Sequence, residues 1–201
     1  MILLAGLIYS AGFLSQCGPA VAPTTTQAII QVESGGNPLA IGDNNLRKSF
    51  SPGSKREAVS LATQLIARGH SVDLGLMQIN SQHLVPMRLS LDDVFDPCRN
   101  VGAGTVILSG FYQRYKTGEP SYSLMKALSA YNTGQAWKGE GYVNRILAAA
   151  GVNYRVQFVP AEAAPVVPAA PAPKKKQGNS RNSPFFFGNT TTAMVPRKGF
   201  R

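Results

Sequence analysis

The composition of the chain changes after Phe158, and this change limits how much of the chain can fold. Residues 160–173 are rich in Pro, Ala and Val, residues 174–183 are polar and basic, and half of the 14 prolines lie in this last part. Such a segment cannot bury enough apolar area to offset the entropy lost on ordering. We therefore predict one folded domain over residues 17–158 and a disordered tail over residues 159–201.

The positive charge is concentrated in the same tail. The whole chain carries a net charge of +10, of which +6 falls beyond residue 159 and only +4 before it. A basic surplus favours an anionic partner such as nucleic acid, a membrane surface or a cell-wall polymer. Because the folded part is only mildly basic, we do not expect the protein to bind nucleic acid.

Residues 2–14 are almost wholly apolar. The run is too short to span a bilayer as a helix, and it is typical of the apolar part of a secretory signal. No Lys or Arg occurs before Arg47, so the basic region that usually opens a signal is absent. We predict a signal-type segment over residues 1–16 and an exported protein; the alternatives are a first helix packed on the core and a mis-assigned start.

The chain has two cysteines, Cys17 and Cys98, and two histidines, His70 and His83. Two distant cysteines in an exported chain favour one disulfide, and two free buried thiols are the alternative. The four side chains lack the spacing of metal ligands. We therefore expect a disulfide, no metal site and no cofactor.

Apolar residues repeat at helical spacing in five segments of the predicted domain. Several of these segments begin near a Ser, Thr or Asn that can cap a helix, and most are followed by glycine. The composition of residues 37–54 predicts a loop or a small hairpin, while residues 73–80 are apolar without clear periodicity. We therefore expect a mainly α (α+β) domain of about five helices with a small β-hairpin or loop region. The predicted helices are a segment ending at residue 34 (cap among Thr24, Thr25 and Thr26), 56–68, 100–115 (cap Asn100), 121–133 (cap Ser121) and 142–150.

Four short segments carry a pattern that resembles a known family. They are ESGGNP at 33–38, GLMQIN at 75–80, ALSAYNTG at 127–134 and GYVNRI at 141–146. Together, and in this order, they resemble the soluble lytic transglycosylase family, whose fold is lysozyme-like. The resemblance covers roughly residues 17–155 and implies cleavage of peptidoglycan.

The positions of the two cysteines indicate one branch of this family. A Cys just before the first helix, and the sequence DPCRN at 96–100 before the central helix, look like the branch attached to type IV secretion and conjugation systems. This branch implies peptidoglycan glycan strands as substrate and a periplasmic location. The basic tail is expected to contact protein components of the secretion or conjugation machine, with anionic wall polymers and inner-membrane lipid as the alternatives. Peripheral association with the inner membrane and a monomeric state are further expectations.

Glu33 has the chemistry that glycoside cleavage requires. A glutamate acts as a general acid at neutral pH only if its pKa is raised. Burial against apolar neighbours such as Val32, Leu76 and Met77 raises it, and the negative end of a helix dipole acts in the same direction. The alternative interpretation is a surface glutamate at a helix end; the four segments together favour catalysis.

The family resemblance implies a reaction that needs only one carboxylate. The acetamido oxygen of N-acetylmuramic acid stabilises the oxocarbenium-like state, and the 6-hydroxyl of that sugar attacks to give a 1,6-anhydro product. Asp43 and Asp73 are the nearest candidates for a second carboxylate. Asp43 is interpreted as a turn residue and Asp73 as a residue that orients the 74–80 segment. If either were catalytic, a hydrolytic lysozyme would describe the protein better.

The same resemblance assigns roles around Glu33. Ser34 is expected to orient Glu33 by hydrogen bonding, or else to cap the helix end. Tyr131 and Asn132 are expected to hold the acetamido group and to position the carboxyl, with core packing as the alternative for Tyr131. Tyr142 is expected to pack beneath Glu33 and to donate a hydrogen bond to it.

The segment at 75–80 is expected to supply the rest of the sugar site. Met77 and Gln78 are predicted to line the cleft, with Gln78 supplying amide contacts. Asn80 is predicted to contact acetamido or carbonyl groups, or else to act as a turn or cap residue. Residues 40–69 depart from the shorter family members, so no specificity contact is carried over there.

The sequence thus predicts a lytic transglycosylase that cuts the β-1,4 bond between N-acetylmuramic acid and N-acetylglucosamine for a secretion or conjugation machine. A hydrolytic muramidase is the nearest alternative. A non-catalytic wall-binding assembly factor that acts through its tail belongs to a different class. A phage-tail or plasmid-entry muramidase uses the same chemistry and is not separated by the sequence.

Overall fold

The structure is a computed structural model that describes residues 9–158. Within these residues the fold is mainly α, with seven helices and one small antiparallel sheet, which confirms the predicted fold class. The predicted tail at 159–201 and the first eight residues of the predicted signal-type segment lie outside the described residues. The helices are α1 (Ala11–Cys17), α2 (Pro23–Ser34), α3 (Lys55–Ala67), α4 (Leu91–Val94), α5 (Pro97–Arg114), α6 (Pro120–Thr133) and α7 (Glu140–Ala149). The strands are β1 (Ile41–Asp43), β2 (Lys48–Phe50), β3 (Val72–Leu74) and β4 (Ile79–Asn80), and a 3-10 turn covers Ser81–His83.

Helix α1 belongs to the folded domain. The Ser10 hydroxyl caps it by accepting a hydrogen bond from the N–H of Phe13 at 3.2 Å, and Leu14 is buried in the core. A disulfide between Cys17 and Cys98 then joins the end of α1 to the start of α5, so the predicted disulfide is confirmed. Residues 11–16, the last part of the predicted signal-type segment, therefore form a packed helix.

Helix α2 carries the predicted acid in its last turn. Pro23 begins the helix, because its fixed φ suits the first helical position and its missing N–H is not needed there. The prediction of a threonine cap is therefore wrong: Thr24, Thr25 and Thr26 lie inside the helix, and the hydroxyl of buried Thr26 donates to the carbonyl of Ala22 at 3.3 Å. The helix ends at Ser34, before Gly35, as predicted.

The four strands form a sheet in the order β2-β1-β3-β4. Strands β1 and β2 form the predicted hairpin, and β1 also pairs antiparallel with β3, where Ile41 lies opposite Leu74. The pairing of β3 with β4 places Leu74 opposite Ile79. The sequence did not predict β3 and β4, because strands of two or three residues are too short for an alternating pattern to appear.

The predicted cap of the central helix is wrong. Helix α5 begins at Pro97, and the side chain of Asp96 caps it. Asn100 lies inside the helix and is buried, where its amide donates to the carbonyls of Leu74 at 2.9 Å and Val94 at 2.7 Å. Its side-chain oxygen accepts from the N–H of Met77 at 2.8 Å. Asn100 therefore joins α5 to the loop between β3 and β4.

The last two helices begin slightly earlier than predicted. Helix α6 starts at Pro120, so Ser121 lies within its first turn and does not cap it. Helix α7 starts at Glu140 rather than Tyr142. α5 packs against α6, and α7 packs against both α2 and α6. At the end of α2, the Ser34 hydroxyl donates to the carbonyl of Leu76 in the loop between β3 and β4. Over residues 9–158, none of the helices combines the length and apolar content needed to cross a membrane.

Candidate active site

An open cleft of about 370 Å³ lies at the end of α2. Glu33 lines it from that helix. The sheet and the residues that follow it supply mainly polar groups, whereas α5 and α6 supply mainly apolar ones. The polar group comprises Asn44, Asp73, Gln78, Asn80, Gln82 and His83, and the second group includes Ile107, Phe111, Ala130, Tyr131 and Asn132. Five residues predicted for the site therefore line one cleft.

Glu33 is held from below by Tyr142. The Tyr142 hydroxyl donates a hydrogen bond of 2.6 Å to Oε1 of Glu33, and Tyr142 itself is only 3% exposed. The guanidinium carbon of Arg145 lies 5.6 Å from the centre of the Tyr142 ring. One carboxyl oxygen is thus fixed by a buried phenol on α7, while Glu33 still lines the cleft.

The surroundings of Glu33 raise its pKa to about 7 from an ordinary value of 4.5. Burial is the largest cause, because it removes water from the charged form. The hydrogen bond from Tyr142 and the charge of Arg145 lower the pKa, whereas the nearby carboxylate of Asp73 raises it. Near neutral pH, a large share of the molecules therefore carry a protonated Glu33.

The cleft residues lie in a part of the chain that matches a known protein family. The family model described as the transglycosylase SLT domain matches residues 13–144. The chain belongs to this family. Membership confirms the predicted enzyme class, a lytic transglycosylase, and the matched range includes Glu33 and all the cleft residues named above.

The chain is also similar to curated proteins. The chain is 35% identical to the type IV secretion system protein virB1 of Brucella suis, in a match that covers 92% of this chain and 83% of the relative. It is 36% identical to protein virB1 of Agrobacterium fabrum over 69% of this chain, and it spans 58% of that protein. No solved structure is significantly similar to the chain.

Tyr131 of this transglycosylase domain stands beside Glu33 as a neutral hydrogen-bond donor. Its hydroxyl donates to the carbonyl of Met77 at 2.8 Å. Burial raises the pKa of Tyr131 well above its ordinary range, and the charges of Glu33 and Asp73 act in the same direction. The phenol therefore stays protonated, and it joins α6 to the loop between β3 and β4.

Ser34 does not contact Glu33 as predicted. Its hydroxyl donates to the carbonyl of Leu76 at 2.8 Å and lies 3.2 Å from the carbonyl of Ile30. It also accepts from the N–H of Gly36 at 3.2 Å, so it takes part in the helix end. Ser34 therefore positions Glu33 only indirectly, because it ties the end of α2 to the loop that forms the cleft floor.

The side chain of Met77 does not line the cleft, which corrects the sequence prediction. Met77 is 0% exposed and packs against α5 at Gly104. A Cβ at position 104 would lie 2.5 Å from the Met77 sulfur, so only glycine permits this approach. The contribution of Met77 to the site is its backbone, whose carbonyl is held by Tyr131 and whose N–H is held by Asn100.

Gln78 and Asn80 line the cleft, but their amides are already hydrogen-bonded within the protein. The Gln78 amide donates to the carbonyls of Gly75 at 2.8 Å and Ala40 at 3.2 Å. Its φ of 48° is unusual for a non-glycine residue and costs about 1 kcal/mol, which the surrounding bonds offset. The Asn80 side chain caps the 3-10 turn, as its alternative interpretation held.

Asp73 is the second carboxylate of the cleft. Asn80 donates to one of its oxygens at 2.7 Å and Asn44 donates to the other at 2.8 Å. Asp43, the other candidate, is buried away from this cleft, where its oxygens accept from the N–H groups of Asn45 and Leu46 and pair with His70 Nδ1 at 2.7 Å. Asp43 is thus a turn residue, and Asp73 fixes the amides of the sheet.

Several cleft residues were not predicted as site residues. Ile107 and Phe111 repeat at helical spacing on α5, so the sequence assigns them to the core, and no local signal separates a cleft wall from a core face. Asn44 lies in the segment that departs from the family pattern. Within residues 9–158, no group of three or more His, Cys, Asp and Glu side chains could hold a metal ion.

The raised pKa of Glu33 has a consequence for stability. Between about pH 4.5 and pH 7 the native state keeps a proton that the unfolded state has lost, so wild-type stability falls as the pH rises through this range. Glu33→Gln removes the titrating group. We expect the variant to gain up to about 3 kcal/mol over wild type at pH 8 relative to pH 4. Urea unfolding of both proteins across this pH range measures the difference, and a pH-independent difference would contradict the burial of Glu33.

Proposed function

We propose that this transglycosylase cuts the β-1,4 bond between N-acetylmuramic acid and N-acetylglucosamine with Glu33 as its single acid and base. The product is a 1,6-anhydro sugar. We further propose that the cut opens the cell wall locally for a type IV secretion or conjugation apparatus. The observation that carries the catalytic part is the Glu33 carboxyl, which is part-buried in a cleft and accepts a hydrogen bond from Tyr142; burial raises its pKa to about 7.

The reaction requires Glu33 to act twice. Protonated Glu33 first gives its proton to the glycosidic oxygen as the bond from that oxygen to C1 of N-acetylmuramic acid breaks. The ionised carboxylate then takes the proton of the 6-hydroxyl of the same sugar as O6 bonds to C1. Glu33 ends protonated, and no water is consumed. A pKa near 7 suits both steps, since neither protonation state is strongly disfavoured at neutral pH.

The residues beside Glu33 support this chemistry. Asn132 is exposed at the cleft, and within residues 9–158 its side chain has no hydrogen-bond partner, so its amide is free to bind a sugar acetamido group. Tyr131, Gln78 and Asn80 line the same space, and their bonds to the protein give it a fixed shape. A rigid site lets the acetamido oxygen approach C1 without a further loss of entropy.

A hydrolytic muramidase is the second candidate, and one observation favours it. Asp73 lines the cleft with Glu33, and two flanking carboxylates are the usual arrangement in glycoside hydrolases. Against it, both Asp73 oxygens accept hydrogen bonds from Asn80 and Asn44. These bonds occupy two of the about four acceptor sites of the carboxylate and hold it against the two amides, so we favour the single-carboxylate reaction.

The masses of the released muropeptides separate the two reactions. We expect the purified protein to release products that are lighter by one water than those of a hydrolase, because the 6-hydroxyl replaces water as the nucleophile. Asp73→Asn should still release the anhydro product. Reducing-end products from wild type, lost in Asp73→Asn, would show instead that Asp73 activates water and that the enzyme is a hydrolase.

Two variants should move the pH profile in opposite directions. The Tyr142 hydrogen bond lowers the pKa of Glu33 and the Asp73 charge raises it. Tyr142→Phe should therefore move the alkaline limb of kcat/KM to higher pH, and Asp73→Asn should move it to lower pH. Initial rates of sacculus solubilisation over pH 5–9 measure both. Shifts in the same direction would show that the limb does not report Glu33.

The setting of the reaction is proposed from the relatives. The Brucella protein is named a type IV secretion system protein, and its match covers most of both chains. We therefore place this chain in the periplasm, as a monomer that acts on glycan strands. The basic tail at 159–201 is proposed to bind a protein component of the secretion machine, with anionic wall polymer or inner-membrane lipid as the other candidates. A non-catalytic role through the tail alone does not account for the arrangement of Glu33.

A further inference from the structure

A group of aromatic rings lies on α6 and the residues after it, outside the catalytic cleft. We call Tyr122, Lys126, Trp137 and Phe158 the aromatic platform. Trp137 and Tyr122 are 46% and 44% exposed, and their ring centres are 5.4 Å apart. Phe158 meets Trp137 edge to face at 5.5 Å. None of the four lines the cleft.

The loop that carries Trp137 is anchored at both ends by one buried side chain. The hydroxyl of Ser129 on α6 donates to the carbonyl of Gln135 at 2.7 Å and accepts from the N–H of Gly139 at 2.9 Å. A Cβ at position 139 would lie 2.9 Å from the Cα of Ser129, so the backbone must pass close to the helix there. The loop therefore holds a large apolar ring in solvent at a defined position.

A cation completes the aromatic platform. Lys126 Nζ lies 4.5 Å from the centre of the Trp137 ring and 4.9 Å from that of Tyr122. Within the described residues Lys126 has no carboxylate partner. A ligand for this surface needs an apolar face that stacks on a flat ring and a negative group that reaches the ammonium.

A sugar unit with a carboxylate has both features, since the C–H groups of one pyranose face are apolar. The size of the surface agrees with such a ligand. Two rings that are each about half exposed offer roughly 200 Å², taking 150–250 Å² for a whole aromatic side chain. A stable protein partner typically covers about 800 Å² on each side. The exposed rings thus match one or two sugar units better than a protein.

We propose that the aromatic platform is a second glycan-binding site, which holds a sugar with a free carboxylate in a peptide-free stretch of the peptidoglycan strand, outside the cleft. The proposal rests on the proposed function for the identity of the glycan. Lys126 and Asn132 lie on the same helix, six residues or about 9 Å apart along its axis. Helix α6 therefore carries residues of both the cleft and the aromatic platform.

Trp137 is the single tryptophan of the chain, so its fluorescence reports this site directly. The experiment uses the full chain with Glu33→Gln, so that the glycan is not consumed. Three probes are titrated: peptide-free glycan strands, the same strands with their carboxylates converted to amides, and free stem peptides. We expect a saturable change in Trp137 emission with the native strands and several-fold weaker binding of the amidated strands. A change caused by stem peptides alone would overturn the proposal of a sugar-binding site.

Variants then assign the binding to the aromatic platform. Trp137→Ala should weaken retention on isolated sacculi freed of their stem peptides about tenfold or more, whereas Trp137→Phe should keep most of it. Lys126→Gln should bind native and amidated strands equally. Tyr154→Ala, which removes an exposed aromatic side chain elsewhere, is the matched control and should bind like wild type.

Two results would overturn the proposal. One is that Trp137→Ala is retained on the sacculi as well as wild type. If this variant also loses binding to an envelope protein, the surface is a protein-docking site instead. The other is unchanged Trp137 emission at glycan concentrations that saturate retention. Both are measured without cleavage, so they are independent of the test of Glu33 as the catalytic acid.

Discussion

Glu33→Gln should lower the rate of peptidoglycan cleavage about 10³-fold or more while the protein stays folded. One side chain supplies both the general acid and the general base, and each role is worth about 10²–10⁴-fold. Gln keeps the shape of the side chain and its bond to Tyr142, but it has no proton to give and cannot accept one. Release of soluble muropeptides from sacculi, followed by chromatography, measures the loss.

Glu57→Gln is the matched control for this variant. Glu57 is an exposed glutamate of α3 that accepts a hydrogen bond from the N–H of Gly53 and lies outside the cleft. We expect it to cleave at the wild-type rate. Cleavage by Glu33→Gln within a few-fold of wild type would contradict the single-carboxylate mechanism, provided that thermal unfolding shows both variants to be folded.

Removal of the disulfide should produce the largest loss of stability. Cys17 and Cys98 are 81 residues apart in sequence, and the bond closes that loop in the unfolded chain. The chain-entropy model assigns about 4 kcal/mol to a loop of this length. The double variant Cys17→Ala/Cys98→Ala should therefore unfold about 10 °C below the oxidised wild type.

Thermal unfolding with and without reductant measures this effect. Reductant should lower the unfolding temperature of wild type towards that of the double variant and should leave the double variant unchanged. An unfolding temperature for the double variant within about 2 °C of wild type would show that α1 is held by the packing of Leu14 rather than by the disulfide.

Helices α2, α3, α5, α6 and α7 were predictable because each one carries an apolar stripe of its own. Helix α1 fell in the predicted signal-type segment, and the four residues of α4 are too few to show helical periodicity. The segment before Gly35 shows both the strength and the limit of helix-end signals. Gly35 correctly predicted the end of α2. The three threonines wrongly predicted its start, because the helix begins at Pro23 and the threonines lie inside it. Asn100 also favoured a wrong prediction. It is a residue type that favours a cap, but inside α5 its side chain satisfies the carbonyls of Leu74 in β3 and Val94 in α4 and the N–H of Met77.

The site was predictable only as a set of residues. Family resemblance brought Glu33, Gln78, Tyr131 and Asn132 to one location, and the structure places all four on one cleft. The family resemblance did not show which atoms of each residue contribute to the site. The Met77 side chain is buried behind the cleft and its carbonyl is what Tyr131 holds.

The amino-acid sequence by itself predicted helices α2, α3, α5, α6 and α7 and the position of the acid in the last turn of α2. These depend on periodicity and composition, which are local. The tertiary structure alone decided the raised pKa of Glu33, the partner of Ser34 and which of Asp43 and Asp73 faces the cleft. The reason is physical: burial and hydrogen-bond partners depend on groups tens of residues away in sequence, as with Glu33 and Tyr142, which are 109 residues apart.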